Sequence, residues 1–130
     1  MRVLVCGGRD YDDADRANSV LCLLDRVIRS GGSGRGIDVI IQGGASGADR
    51  LARLWAEANG RDCETYHADW QQYGGAAGPR RNQRMLDEGR PNVVLAFPGG
   101  RGTEDMVRRA RRARVPVFRV WPRSDSADAQ

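Results

Sequence analysis

Apolar residues along the chain fall into short continuous runs, separated by stretches in which they recur every three or four positions. "RVLVC", Arg2 to Cys6, is the first run. "IDVIIQGG" and "NVVLAFPGG" are β-branched or apolar runs that end in glycine, the pattern of strands buried on both faces. "CETYHA" and "VPVFRVW" complete the set of expected strands. Between them, Ala14 to Ile28 places Ala17, Val20, Leu21, Leu24, Val27 and Ile28 on one helical stripe. Asp12 or Asp13 is placed to cap this helix, and "GGSGRG" ends it. "SGADRLARLWAEANG" aligns Ala48, Leu51, Ala52, Trp55 and Ala58, and Gly60 stops it. A short helix is expected over Pro79 to Asp87, with Pro79 near its first turn. The last helix is expected over Gly102 to Arg114, turning Met106, Val107, Ala110 and Ala113 inward. "DWQQYGGAAGP" has no periodicity and is expected to be a long loop.

Strand and helix therefore alternate from end to end. That order predicts an α/β, Rossmann-like three-layer sandwich with a parallel sheet of about five strands. One domain is expected over residues 1–122, followed by a polar tail over residues 123–130 that is expected to fray. No apolar run approaches the ~20 residues of a membrane-spanning helix. "MRVLVCGG" enters a strand directly and lacks the apolar core of a signal peptide, so the expected location is the cytoplasm.

Composition narrows the chemistry. The three cysteines, Cys6, Cys22 and Cys63, sit in apolar segments at no metal-binding spacing and read as reduced thiols. His67 is the single histidine, so no metal site is expected. There is no lysine, which excludes a Walker lysine and Schiff-base chemistry. The formal net charge of +4 suits an anionic ligand without requiring nucleic acid. No cofactor and no membrane partner are expected.

Three glycine-rich segments fall at expected strand ends: "CGGRDY", "QGGASGAD" and "PGGRGTED". Ligands of parallel sheets bind at the carboxyl ends of the strands, near the point where strand order reverses. A helix N-terminus there offers unpaired N–H groups and the positive end of its dipole, provided that no Cβ blocks the approach. Gly43, Gly44, Ser46 and Gly47 are expected to clear that space at the second helix. Gly99, Gly100, Arg101, Gly102 and Thr103 are expected to do so at the last, with Thr103 capping. Gly7, Gly8 and Arg9 follow the first strand. Neither GxGxxG nor GxxxxGK[ST] is present, so the turns fit neither an ordinary dinucleotide site nor a P-loop. The expected ligand is a phosphate or a nucleotide.

The motifs "GGRDY", "GGASGADRLA", "ADW", "GPRRN" and "FPGGRGT" together resemble the YspA-like branch of the SLOG superfamily, over Met1 to about Val120. That superfamily includes the Lonely Guy phosphoribohydrolases and DprA, and "PGGRGT" resembles the PGGxGT signature of the former. The resemblance implies a Rossmann-like fold and a site for a nucleotide or nucleotide-derived ligand. It also implies a homo-oligomer. In the Lonely Guy enzymes a nucleoside 5′-monophosphate is hydrolysed to free base and ribose 5-phosphate, and the motif ends PGGxGTxxE, with a catalytic glutamate. The matching residue here is Met106. "RNQRM" resembles their Arg-Lys-x-x-Met segment. By that match Arg81 contacts the ligand, and Asn82 stands where the family has lysine.

With a thioether at position 106, hydrolysis would need another carboxylate, Asp10 or Asp49. Ser46 and Asp49 also have capping-box spacing, and Glu104 and Asp105 suit a first helical turn. Trp70 and Tyr73 read either as a lid that stacks on a base or as an anchor for the loop. "VRRARRAR" reads as a solvated face or, in the alternative, as a footprint for single-stranded nucleic acid. Two further functions thus stand beside hydrolysis: a non-catalytic sensor of a nucleotide-derived ligand, and a single-stranded nucleic-acid module.

Overall fold

The computed structural model describes residues 1–122, and the tail expected over residues 123–130 lies outside them. Strands β1 (Arg2–Cys6), β2 (Val39–Gln42), β3 (Asp62–Thr65), β4 (Val93–Ala96) and β5 (Val117–Arg119) form one parallel sheet in the order β3-β2-β1-β4-β5. The expected α/β, Rossmann-like fold is therefore present. Because successive side chains of a strand alternate, β1 sends Val3 and Val5 to one face and Leu4 and Cys6 to the other. Helices α1 (Ala14–Ser30) and α2 (Ala48–Ala58) cover the first face through Ala17, Leu21, Ala52 and Trp55. Helices α4 (Ala77–Asp87) and α5 (Arg101–Arg112) cover the second through Met85, Leu86, Met106, Val107 and Ala110. Each large aliphatic side chain so buried contributes on the order of 2 kcal/mol.

Strand order reverses between β1 and β4. β2 and β3 are added to one side of β1, and the chain then crosses to lay β4 on the other side. The turns after β1 and β4 start at this line, and the region outside the carboxyl ends of the strands there is where such sheets take ligands.

Several expected boundaries move. The stretch expected to be a loop is folded: α3 spans Trp70–Tyr73, a 3-10 turn follows over Gly74–Ala76, and α4 begins at Ala77 rather than Pro79. Asp69 starts this segment, its carboxylate accepting from the Gln72 N–H at 3.1 Å. A four-residue helix is too short for a 3.6-residue period to register, and the glycines on its far side read as loop. Pro79 falls third in α4, where its missing N–H would have had no intrahelical partner. Helix α5 starts one residue before the expected Gly102 and stops two before Arg114, leaving Ala113 exposed. Val27 and Ala58 face outward, and Ala56 takes the buried position expected of Ala58. Of the two candidate caps for α1, Asp13 makes the bond, accepting from the Arg16 N–H at 3.1 Å.

Asp25 is a buried carboxylate that joins three elements. It accepts from the Ile37 N–H at 2.7 Å, from Arg61 at 2.6 and 3.1 Å, and from Arg29 at 3.0 Å. Arg61 also donates to the Ile37 carbonyl at 2.6 Å and lies over the Trp55 ring. Hydrogen bonds from Arg61 hold the Asp25 carboxyl below its ordinary value of 3.8, despite burial. Removing one member of such a cluster strands the others, so Asp25→Ala is expected to cost roughly 3 kcal/mol in urea unfolding at pH 7. A depressed carboxylate stabilises the fold above its unfolded pKa and loses that contribution as pH falls toward its folded pKa. The deficit of the variant should therefore shrink below about pH 4.

Candidate functional site

The turn after β1 and the turn after β4 lie against each other. The Phe97 N–H donates to the Cys6 carbonyl at 2.9 Å, and the Gly8 N–H donates to the Pro98 carbonyl at 2.9 Å. A Cβ on Gly7 would stand 2.6 Å from the Ala48 Cβ, and one on Gly99 would stand 2.7 Å from the Gly8 nitrogen. These glycines let two backbones meet. Gly100 and Gly102 differ, since a Cβ on either would meet no protein atom within 4 Å. They border open space at the start of α5. Gly100 is the N-cap and no side chain caps the helix. Thr103 does not cap as expected; it is buried, its hydroxyl beside Gly99.

The second glycine turn is built otherwise, and the expectation that Gly43, Gly44, Ser46 and Gly47 bare the backbone to an anion is corrected. Asp49 accepts from the Gly43 and Ala45 N–H groups at 3.2 Å each, and Gln42 accepts from the Gly44 N–H at 2.6 Å. The space beside Gly43 holds the Arg81 guanidinium, whose Cζ would lie 2.8 Å from a Cβ there, and the space beside Gly44 holds the His67 ring. Ser46 donates to the Arg9 carbonyl at 2.9 Å, and the Ala48 N–H donates to the Gly8 carbonyl at 3.1 Å. At Gly47, φ is +75° and a Cβ would overlap the Gly8 carbonyl oxygen. This turn is a strut under the first one. The capping-box reading of Ser46 and Asp49 also gives way, because Gly47 is the N-cap and Asp49 reaches back to the loop.

A cleft of about 1040 Å³ opens over these turns. Gly7, Gly8, Arg9 and Asp10 line it from β1, Gly99 to Thr103 from α5, Arg81 and Asn82 from α4, Trp70 from α3, and Asp49 from α2. Gly43, Gly44 and Ser46 instead line a hollow of about 270 Å³ beside it, bordered also by Arg9, Trp70 and Arg81. Gly47 lines neither.

The charged groups of the cleft are mostly paired. Arg81 donates to the Gly43 carbonyl at 2.7 Å and to Asn82 at 3.2 Å. Burial lowers its pKa, and the Asp49 charge offsets part of that. Burial pushes the Asp49 carboxyl up, against the Ala45 hydrogen bond and the Arg81 charge. Asn82 is itself committed, donating to the Gly102 carbonyl at 3.1 Å and to Asp105 at 3.0 Å. Asp105 further accepts from Arg108 and Arg109 at 2.9 and 2.8 Å. Burial opposes its ionisation, but the bonds from Arg109 and Asn82 prevail and keep its pKa low. Glu104 is paired with Arg119 at 3.1 and 2.6 Å. Asp10 is exposed and, among the described residues, has no hydrogen-bond or ion-pair partner. Cys6 forms part of the floor; burial, with help from the Asp49 charge, pushes its thiol up to about 12, which makes it inert.

Met106 does not face the cleft. It is fully buried among Leu4, Cys6, Met85 and Ala96, on the sheet side of α5. Sequence reasoning missed Asp105 as the tie between α4 and α5. Its spacing to Arg109, four residues on, was the available signal. Among the described residues no cluster of three or more His, Cys, Asp or Glu could hold a metal, and no helix is long and apolar enough to cross a membrane.

A sequence model of the YspA, cpYpsA-related SLOG family matches residues 1–73. The Gene 61 protein of Mycobacterium phage D29 is 39% identical over 124 residues, covering 90% of this chain and 94% of that protein. The chain is also similar to the X-ray structure of DNA processing protein A (DprA) from Streptococcus pneumoniae, at 18% identity and a TM-score of 0.48. That likeness covers 90% of this chain and 58% of the other, so the chain spans little more than half of its length.

The two kinds of glycine predict opposite outcomes. Gly47→Ala is expected to destabilise by at least about 2 kcal/mol, from positive φ and overlap with Gly8 together. Gly100→Val, with φ at −104° and open space around it, is expected to stay within about 0.5 kcal/mol of the parent. Thermal and urea unfolding of both variants check this.

Proposed function

The chain belongs to the YspA, cpYpsA-related SLOG family, and we propose from that premise that its cleft binds a nucleotide or nucleotide-derived molecule through a phosphate. One observation carries this reading: the uncapped first turn of α5 opens onto a large cleft at the strand-order reversal, with Gly100 and Gly102 facing empty space. Free N–H groups and the helix dipole there favour an anion. Arg9 and Arg101 line the same cleft and add charge, and Arg81 supplies a guanidinium suited to phosphate.

Binding without turnover is the form we favour. The position that carries the glutamate in the Lonely Guy motif holds a fully buried methionine, and Glu104 and Asp105 are held in ion pairs. A second reading, N-glycosidic hydrolysis, draws on Asp49. Its raised pKa and its place in the cleft wall are features of catalytic carboxyls. There a carboxylate, from Asp49 or the unpaired Asp10, would stabilise positive charge on the sugar. Water would attack the anomeric carbon and release the base.

A single-stranded nucleic-acid partner has less support, because Arg108 and Arg109 of the basic run are tied to Asp105. The three unpaired cysteines support a cytoplasmic setting. Exposed Phe118 and Trp121 at the open β5 edge support a homo-oligomer.

A panel of nucleoside 5′-monophosphates, assayed by thermal shift and by release of free base, tests the reading. At a hundredfold excess over Kd a bound ligand adds about 2.7 kcal/mol, a rise of several degrees in Tm. That rise is expected in the parent, without base release, and is expected to vanish in Gly100→Val. An equal shift in Gly100→Val would refute the phosphate position. Base release that is lost in Asp49→Asn or Asp10→Asn would favour hydrolysis.

A further inference from the structure

We propose that Trp70 is the platform on which the aromatic base of the ligand stacks, so that the cleft takes nucleotides in preference to sugar phosphates. The proposal deepens, and rests on, the phosphate reading above.

Among the described residues Trp70 is the one aromatic side chain that lines the cleft. It is 48% exposed, where a tryptophan serving only to pin its segment to the body would be buried as Trp55 is. Its position is nevertheless fixed from several sides. Asp69 caps α3, and the Gly74 N–H donates to the Trp70 carbonyl. The tip of the indole rests on α4, where a Cβ on Gly78 would lie 3.4 Å from Trp70 Cη2. The Arg9 guanidinium lies over the ring, 5.1 Å from its centroid. The indole thus already accommodates one planar group over its ring. Gly75, Gly78 and Pro79 continue the wall and carry no polar side-chain atoms. Such a surface reads the face of a base rather than its edge, and every base has a π-face.

The other exposed aromatics do not offer this. Tyr73, Phe118 and Trp121 are exposed but lie outside the cleft.

Calorimetric titration of the parent, Trp70→Ala and Trp70→Phe with AMP and with ribose 5-phosphate tests the proposal. The parent is expected to bind AMP roughly tenfold tighter than ribose 5-phosphate. Trp70→Ala should bring AMP down to the sugar phosphate while leaving ribose 5-phosphate unchanged, which also shows that the variant is folded. Trp70→Phe should keep most of the difference. Equal affinities for the two probes in the parent, or an AMP preference that survives Trp70→Ala, overturns the stacking role and leaves the phosphate site standing. If neither probe binds the parent, the phosphate reading fails and the stacking role falls with it.

Discussion

The close contact between the turns after β1 and β4 is the constraint on which the rest of the cleft depends. The Gly8 N–H must reach the Pro98 carbonyl, and Gly7, Gly8 and Gly99 leave no room there for a Cβ. Once those backbones touch, the start of α5 is set directly over the end of β1. The second glycine turn props the arrangement from below through Ser46, Gly47 and Ala48, all of which bond or press against the β1 turn. Backbone contact of this kind resists displacement better than long side chains would, so the N-terminus of α5 is held in place without a ligand.

Around this backbone frame, a few polar side chains fix the helices that wall the cleft. Arg81 ties α4 to the β2 turn, and Asn82, the next residue, ties α4 to α5 through Gly102 and Asp105. These Arg81 and Asn82 donors meet carbonyl or carboxylate oxygens, which is the condition for tolerating polar groups under a sheet. The outcome is a cleft lined by Arg9, Arg81 and Arg101 together with a half-exposed indole.

Much of this was legible in the sequence. The alternation of apolar runs with 3.6-period stretches specified the layers, and strand-end glycines specified which edge of the sheet matters. The sequence did not reveal which glycines serve the protein and which face empty space. Gly47 and Gly100 look alike in a string of letters, yet one avoids a neighbouring carbonyl and the other avoids nothing. That distinction depends on which loops the strand order brings together, and no local pattern encodes it. Trp70–Tyr73 was missed because a single turn stabilised by an aspartate has too few residues to show a period. The tie between Asp25 and Arg61 was hidden because the guanidinium of Arg61 reaches Asp25 from a distant part of the chain.

Met106 also bears on what this scaffold can become. Because its side chain lies wholly among Leu4, Cys6, Met85 and Ala96, the spot belongs to the hydrocarbon interior and not to the solvent-filled groove. A glutamate at this position would sink a lone charge into oil, a penalty that shifts the group to its neutral form or loosens the helix. The layer beneath α5 would have to be rebuilt before position 106 could carry a charge, so this packing reserves the position for an apolar side chain.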